Sequence, residues 1–313
     1  MRIFERQGNN FLDSGFCGGT LIAAKYVITA AHCTYEPEDC TSDNWNTCKK
    51  NWYLSKRKVA NLGVRIGDHN IQTTGESLLL ARTPKNVHVK TIIHYPDWVE
   101  PNLPGYLTNA GTDVVVYELA ESLTLTMYTP ACLAKSSDDT TFDGLKATAA
   151  GWGMTQEWPF AITVSATPQE VELTVIPRSP EDKRCLNKGP KFMCAGVDEW
   201  GKGGCYVSVN RMNNVDTCKE HDVQLQGDSG GPFTFPAIHL QSNIIDISKQ
   251  HILIGVMSTA TGIGINPASL HQPGSRKECG YGTNSVRVSA VRDWIDKIIS
   301  DATICENGVD VGY

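Results

Sequence analysis

Short apolar runs broken by turn residues dominate the chain. They cover residues 16–31, 59–66, 87–93, 114–119, 147–151, 171–175, 252–257 and 285–288, with clusters of Gly, Pro, Asn and Asp between them. Runs this short, bounded by turn signals, predict strands, and several of them in one chain predict an all-β barrel or sandwich. One segment breaks the pattern. In residues 289–299 the apolar Val291, Trp294, Ile295, Ile298 and Ile299 recur at offsets 0, 3, 4, 7 and 8, one face of a helix, and Ser289 is the expected N-cap. The pattern therefore predicts a single C-terminal helix laid on a barrel. There is no internal repeat. Residues 195–225, rich in Gly, Asn and charge, and residues 260–278, rich in Gly, Pro and Ser, read as surface insertions of the kind that carry recognition.

The 313 residues are 41% hydrophobic and 20% charged, enough for a sizeable core and, at about 150 residues per domain, for roughly two folded units. This composition excludes a disordered or collagen-like chain. A net charge of −6 argues against nucleic acid as the main partner, which needs a basic face. The run Lys56-Arg57-Lys58 is expected to be a solvated loop. No apolar stretch reaches the roughly 18 residues of a membrane span. The opening Met1-Arg2-Ile3-Phe4-Glu5-Arg6 leads into polar residues rather than the apolar core of a signal peptide.

Eleven cysteines, at 17, 33, 40, 48, 132, 185, 194, 205, 218, 279 and 305, form no C-x-x-C pair. Dispersed cysteines favour disulfides and an oxidising compartment over a zinc ribbon or redox motif. The odd count leaves at least one thiol free or paired outside this chain. Secreted-type cysteines without a leader read as an extracellular protein truncated at its N-terminus.

Three segments carry candidate chemistry: Thr29-Ala30-Ala31-His32-Cys33, Thr112-Asp113-Val114-Val115-Val116-Tyr117 and Gly227-Asp228-Ser229-Gly230-Gly231-Pro232. Singly, each has a bland reading as a packed histidine, a turn aspartate and a tight glycine turn. Together, in the order His, Asp, Ser, they supply a base, its orienting acid and a nucleophile, the parts that amide hydrolysis needs. With Cys17-Gly18-Gly19-Thr20-Leu21-Ile22, Gly151-Trp152-Gly153, Met193-Cys194-Ala195-Gly196 and Asp293-Trp294-Ile295, the sequence resembles the trypsin/chymotrypsin family of serine proteases from about residue 3 to 300.

The resemblance implies two six-stranded antiparallel Greek-key β-barrels with a C-terminal helix. It divides the chain into a peptidase domain over 1–300 (first barrel about 1–130, second about 131–288, helix 289–300) and a tail over 301–313. It implies catalytic roles for His32, Asp113 and Ser229, an oxyanion hole from the N–H groups of Gly227 and Ser229, and a zymogen-activation role for Asp228. In the family that carboxylate pairs with the α-amino group released on activation. The family's usual Ile-Val-Gly-Gly start is absent from the 16 residues before Cys17, so the chain as written is expected to leave Asp228 unpaired and the hole unordered.

The substrate pocket is expected to include Val223 at its floor, with Ser258 and Ala260 on its wall. Val223 offers no carboxylate to a Lys or Arg side chain, although Asp222 is adjacent. The expected substrate residue is therefore small or apolar. Cys17–Cys33 and Cys185–Cys194 match family bridges, and Cys40 and Cys48 most simply bridge each other. Leu225 replaces the family cysteine before the nucleophile, and Cys218 or Cys205 is left to pair with Cys279, with Cys218 preferred. Ala147 and Phe235 stand where the family has a further pair. Cys132 matches a position that ties the domain to a propeptide or light chain, with Cys305 the alternative partner.

No cofactor is expected. Asp68 and Glu76 resemble the calcium loop of some family members, but two carboxylates are fewer than calcium normally takes, and an exposed acidic loop is the simpler expectation. The expected partner is a protein or peptide substrate, with no nucleic acid and no membrane. The function these residues imply is a secreted serine endopeptidase made as a zymogen. The alternative is a non-catalytic homologue that acts as a binding cofactor in an extracellular cascade.

Overall fold

A computed structural model describes residues 1–7, 10–11, 15–37, 54–71, 84–100, 111–138, 140–153, 165–177, 189–196, 228–236, 251–261 and 282–300. The first sheet comprises β1 (Arg2–Gln7), β2 (Asn10–Phe11), β3 (Cys17–Gly18), β4 (Thr20–Ala23) and β5 (Tyr26–Thr29), a separate short pair β6 (Tyr35–Pro37) and β7 (Leu54–Lys56) being set apart from it. It continues with β8 (Leu62–Ile66), β9 (Lys85–His94) and β10 (Val115–Leu119). The strand order is β2-β1-β8-β9-β10-β5-β4, with β3 on β1. Only Gly19 separates β3 from β4, so the path returns almost to its start as a nearly closed antiparallel barrel.

The second sheet comprises β11 (Cys132–Leu133), β12 (Lys146–Gly151), β13 (Gln169–Ile176), β14 (Phe192–Gly196), β15 (Pro232–Pro236), β16 (His251–Thr261) and β17 (Gly282–Arg287). Here the ring is complete: β12-β13-β14-β17-β16-β15 returns to β12, and every pairing in it is antiparallel. β11 lies outside the ring, parallel to β16. The two-barrel architecture expected from the resemblance is the one observed.

The two cores meet at β5 and β10. Val115, Tyr117 and Leu119 join the first core with Val27, Leu62 and Val64, whereas Val114 and Val116 join the second with Ile28, Leu173, Phe233 and Ile254. Successive strand residues point to opposite faces, so a strand walled on both sides reads as one unbroken apolar run. Burying each such side chain contributes about 1.5–3 kcal/mol. The wall between the barrels thus carries Asp113 at the head of β10 and His32 just beyond β5.

Helix α1 (Val288–Ile298) buries Val291, Ile295 and, just past its end, Ile299 in the second core. Its Arg292 Nη1 donates to Leu133 O at 2.9 Å and Ala134 O at 3.2 Å. Ser289 is not the N-cap. β17 runs directly into the helix through extended Arg287 (φ −70°, ψ 117°), and Ser289 lies inside the first turn with its hydroxyl buried. The apolar run 16–31 holds three strands, β3, β4 and β5, and a two-residue turn at Ala24-Lys25 folds β4 back on β5. Residues 59–61 form a 3-10 turn before β8. Arg57 is not a solvated loop residue either: its guanidinium lies 3.9 Å from the Phe16 ring centroid, pairs with Glu5 and donates to Tyr35 O.

Candidate active site

His32 lies in a 3-10 turn, Ala31–Thr34, that follows β5. The turn is buried, closed by Cys33 N–H donating to Ala30 O at 3.1 Å, and stapled to β3 by the Cys17–Cys33 disulfide, with a Cα–Cα distance of 6.2 Å. Closing a loop of this size stabilises the fold by about 3 kcal/mol in the chain-entropy account.

Asp113 receives this turn from the head of the neighbouring strand β10. Its Oδ1 accepts the backbone N–H of His32 at 2.9 Å, and its Oδ2 lies 2.7 Å from His32 Nδ1. Ser258, on β16 of the second barrel, donates its hydroxyl to the same Oδ2 at 2.6 Å. Burial pushes the Asp113 carboxyl up, but the charge of an imidazolium at His32, the hydrogen bonds from His32 and Ser258 and the His32 N–H outweigh it and hold the carboxyl at about 2. Asp113 is therefore an acceptor at neutral pH, and the proton shared with it sits on Nδ1. In the neutral imidazole Nε2 is left as the basic nitrogen.

Ser229 is 1% exposed and occupies the turn after residue 227. Both barrels hold this turn: Gly18 N–H donates to Ser229 O and Gly230 N–H donates to Met257 O, each at 2.7 Å. Gly230 has φ +76°. His32 Nε2 is buried and has no hydrogen-bond partner among the described residues, so the Ser229 hydroxyl is not bonded to it in this structure. Asp228 turns the other way. Its Oδ1 accepts Gly153 N–H at 2.7 Å, and the carboxylate packs where a β-carbon on Gly151 or Gly153 would stand. Burial pushes the Asp228 carboxyl above its ordinary range, partly opposed by the Gly153 hydrogen bond. Among the described residues no cation pairs with it.

The structure thus joins His32 and Asp113, sets Ser229 in a turn shared by the two barrels, and turns Ser258, expected on the pocket wall, onto Asp113. No local signal in the sequence marks that last contact, which spans 145 residues. Gly227, Val223, Asp222, Leu225, Glu76, the Ala260 side chain and Cys40, Cys48, Cys185, Cys205, Cys218, Cys279 and Cys305 lie outside the described residues. Cys132 and Cys194 are both disulfide-bonded, to cysteines outside the described residues. Asp68 is not part of an exposed acidic loop: its side chain is 3% exposed and takes Arg65 Nε at 2.5 Å. The one His/Cys/Asp/Glu grouping compact enough for a metal among the described residues, Cys17, His32 and Cys33, is a disulfide beside an imidazole, without the thiolates a metal takes. No helix among the described residues is long and apolar enough to cross a membrane.

The profile of the trypsin family matches residues 4–295. The chain is 28% identical over 299 residues to Serine protease ea of Drosophila melanogaster, a match covering 90% of this chain and 59% of that protein. It is 28% identical over 220 residues to Serine protease SSP1 of Scolopendra subspinipes, covering 70% and 57%, and 27% identical over 292 residues to chymotrypsin-like elastase family member 1 of Bos taurus, covering 91% and 79%. The chain spans less than two thirds of the length of the first two relatives. A family match over nearly the whole chain, on a pair of barrels that brings a buried histidine onto a buried aspartate, makes this chain a member of the trypsin family of serine proteases.

Proposed function

We propose that this chain is a serine endopeptidase that cleaves peptide bonds through an acyl-enzyme on Ser229 and is made as a secreted zymogen. The observation that carries the reading is the buried pair of His32 Nδ1 and Asp113 Oδ2 at 2.7 Å, which leaves Nε2 as a base. In the family's scheme His32 Nε2 takes the proton of the Ser229 hydroxyl as its oxygen attacks the carbonyl carbon, then returns that proton to the leaving amine. Asp113 fixes the tautomer and stabilises the imidazolium. The N–H groups of Gly227 and Ser229 would receive the oxyanion, and losing one such donor typically costs about 3 kcal/mol of transition-state stabilisation. Water then hydrolyses the ester by the same route in reverse. The substrate preference rests on Val223 and Ala260: with no carboxylate at Val223, a Lys or Arg side chain would lack a buried partner, so a small or apolar residue is proposed. The dispersed cysteines support secretion. Cys132 is bonded to another cysteine of this chain, and a link from it to a separate light chain is not part of the proposal.

The test is covalent labelling. The activated full-length protein should react with a fluorophosphonate, and mass spectrometry should find the adduct on Ser229. Both Ser229→Ala and His32→Ala should abolish it. An activated protein that remains unlabelled overturns the proposal. The partnerless Nε2 of His32 favours a second reading, a non-catalytic homologue that binds partners in an extracellular cascade. The same labelling separates the two readings.

Asp228 gives an independent check on the zymogen part. A carboxyl raised in the folded state favours folding below its unfolded value of about 3.9 and opposes it as pH rises through the folded value. Asp228→Asn keeps the acceptor for Gly153 N–H and removes the charge. This chain should therefore gain about 1–3 kcal/mol at pH 7 from that substitution and nothing below about pH 4, read by urea denaturation at both. After activation, when a new α-amino group would pair with Asp228, the same variant should be less stable and inactive.

A further inference from the structure

Asp113 sits at the apex of a tight turn in which Val114 N–H closes onto Thr112 O at 2.8 Å. A second segment, residues 95–98, brackets this turn. Tyr95 N–H donates to Val114 O at 3.2 Å, after the aspartate. Before it, Asp97 takes both donors of Thr112, the backbone N–H on Oδ1 at 2.8 Å and the hydroxyl on Oδ2 at 2.9 Å. Gly111 lets the two segments touch, since a β-carbon there would stand 2.0 Å from Asp97 O.

The bracket is tied to the other barrel. Lys191, at the entry to β14, donates to Asp97 Oδ2 at 2.5 Å, and its ammonium lies 4.7 Å from the Tyr95 ring centroid. Its own backbone is fixed by Arg287 N–H donating to Lys191 O at 2.8 Å, and Tyr95 packs edge-on against Trp294 of α1, with ring centroids 5.2 Å apart.

We infer that Asp97 is a positioning residue for Asp113: its carboxylate clamps Thr112, the residue directly before Asp113, and Lys191 of the second barrel holds the clamp in place. The inference rests on the reading of His32, Asp113 and Ser229 as the catalytic groups. The Lys191–Asp97 pair is 36% and 42% exposed, so little stability is at stake in it. What it supplies is a fixed direction. The two Asp113 oxygens must meet His32 N–H, Nδ1 and the Ser258 hydroxyl at once, and a shift of the preceding residue misaims all three. Partial burial pushes the Asp97 carboxyl up, but Lys191 and the Thr112 donors outweigh it and hold the carboxyl below its ordinary range, so the clamp is charged at neutral pH.

The test uses the activated full-length protein. Asp97→Ala should lower kcat about 10- to 100-fold with KM within about twofold. It should also move the acid limb of the kcat profile to lower pH, because a misaimed Asp113 stabilises the imidazolium less. Lys191→Met should lose part of kcat, and Lys191→Arg should recover most of what Met loses. The exchange Asp97→Lys with Lys191→Asp restores an ion pair but not an acceptor for Thr112, so it should remain as slow as Asp97→Ala. Wild-type kcat and an unmoved acid limb in Asp97→Ala would overturn the inference, as would recovery in the exchanged pair. A second readout does not depend on turnover. The low-field proton resonance of His32 Nδ1–H should shift or broaden in Asp97→Ala, and an unchanged resonance overturns the clamp even if the wild-type protein takes no fluorophosphonate label. Failure to label, with that resonance moved, counts against the protease reading alone.

Discussion

Replacing Asp113 with Asn should lower kcat about 10⁴-fold with the fold intact, the largest kinetic loss expected of any substitution that leaves the proposed base and nucleophile in place. The amide keeps one acceptor oxygen but turns an NH₂ toward the ring or the Ser258 hydroxyl. If the amide donates to Nδ1, the ring proton moves to Nε2, the nitrogen meant to accept the serine proton. A peptide amide assay should show the loss in kcat rather than KM, and fluorophosphonate labelling should slow in parallel. The same substitution has an equilibrium signature. The Asp113 carboxyl is held at about 2, below its unfolded value of about 3.9. Its contribution, on the order of 2 kcal/mol, is present above about pH 4 and lost as pH falls toward 2. Urea denaturation of Asp113→Asn should lack that acid decline, and a decline equal to the wild type's would show that Asp113 is not the group responsible.

The second large effect should come from Gly230→Ala. Gly230 and Gly144 both have positive φ, +76° and +80°. At Gly144 a β-carbon would meet nothing within 4 Å, so Gly144→Ala should cost only the backbone strain, about 1–2 kcal/mol. At Gly230 the same atom would stand 2.0 Å from Thr29 Oγ1, 2.7 Å from Gly18 O and 2.8 Å from Ala30 N. Two of these are backbone atoms, and the threonine hydroxyl is itself fixed by donating to Gly18 O at 2.8 Å. None can yield without moving the wall between the barrels. Gly230→Ala should therefore lose at least about 4 kcal/mol in denaturant melts, and any folded fraction should lose activity by more than about 100-fold as Ser229 is displaced. Equal costs at the two glycines would refute the argument from crowding.

Four strands of the second ring, β12, β13, β16 and β17, were legible because their apolar runs are short and bounded by turns, whereas β14 and β15 fell in no such run. The helix was legible because its apolar face repeats over eleven residues. β1 was not, since Arg2-Ile3-Phe4-Glu5-Arg6 mixes charge with apolar residues over too short a span to separate a strand from a loop. The hairpin at Ala24-Lys25 was hidden because neither residue is a turn former, and its course is set by pairing on both sides of β5. At the site, His32, Asp113 and Ser229 stood out by order and flanking motifs. Ser258 on Asp113 and Asp97 on Thr112 did not, because each contact belongs to the packing of distant segments and leaves no periodic trace.

The second ring carries a kinetic cost. Its closing seam joins β12 to β15, where Thr148 faces Thr234, 86 residues away in sequence. Until that seam forms, two bare edges of main-chain donors and acceptors remain open to strands of other molecules. Topologies dominated by such distant pairings fold over milliseconds to seconds. Refolding from denaturant should accordingly compete with aggregation, and yield should fall as protein concentration rises.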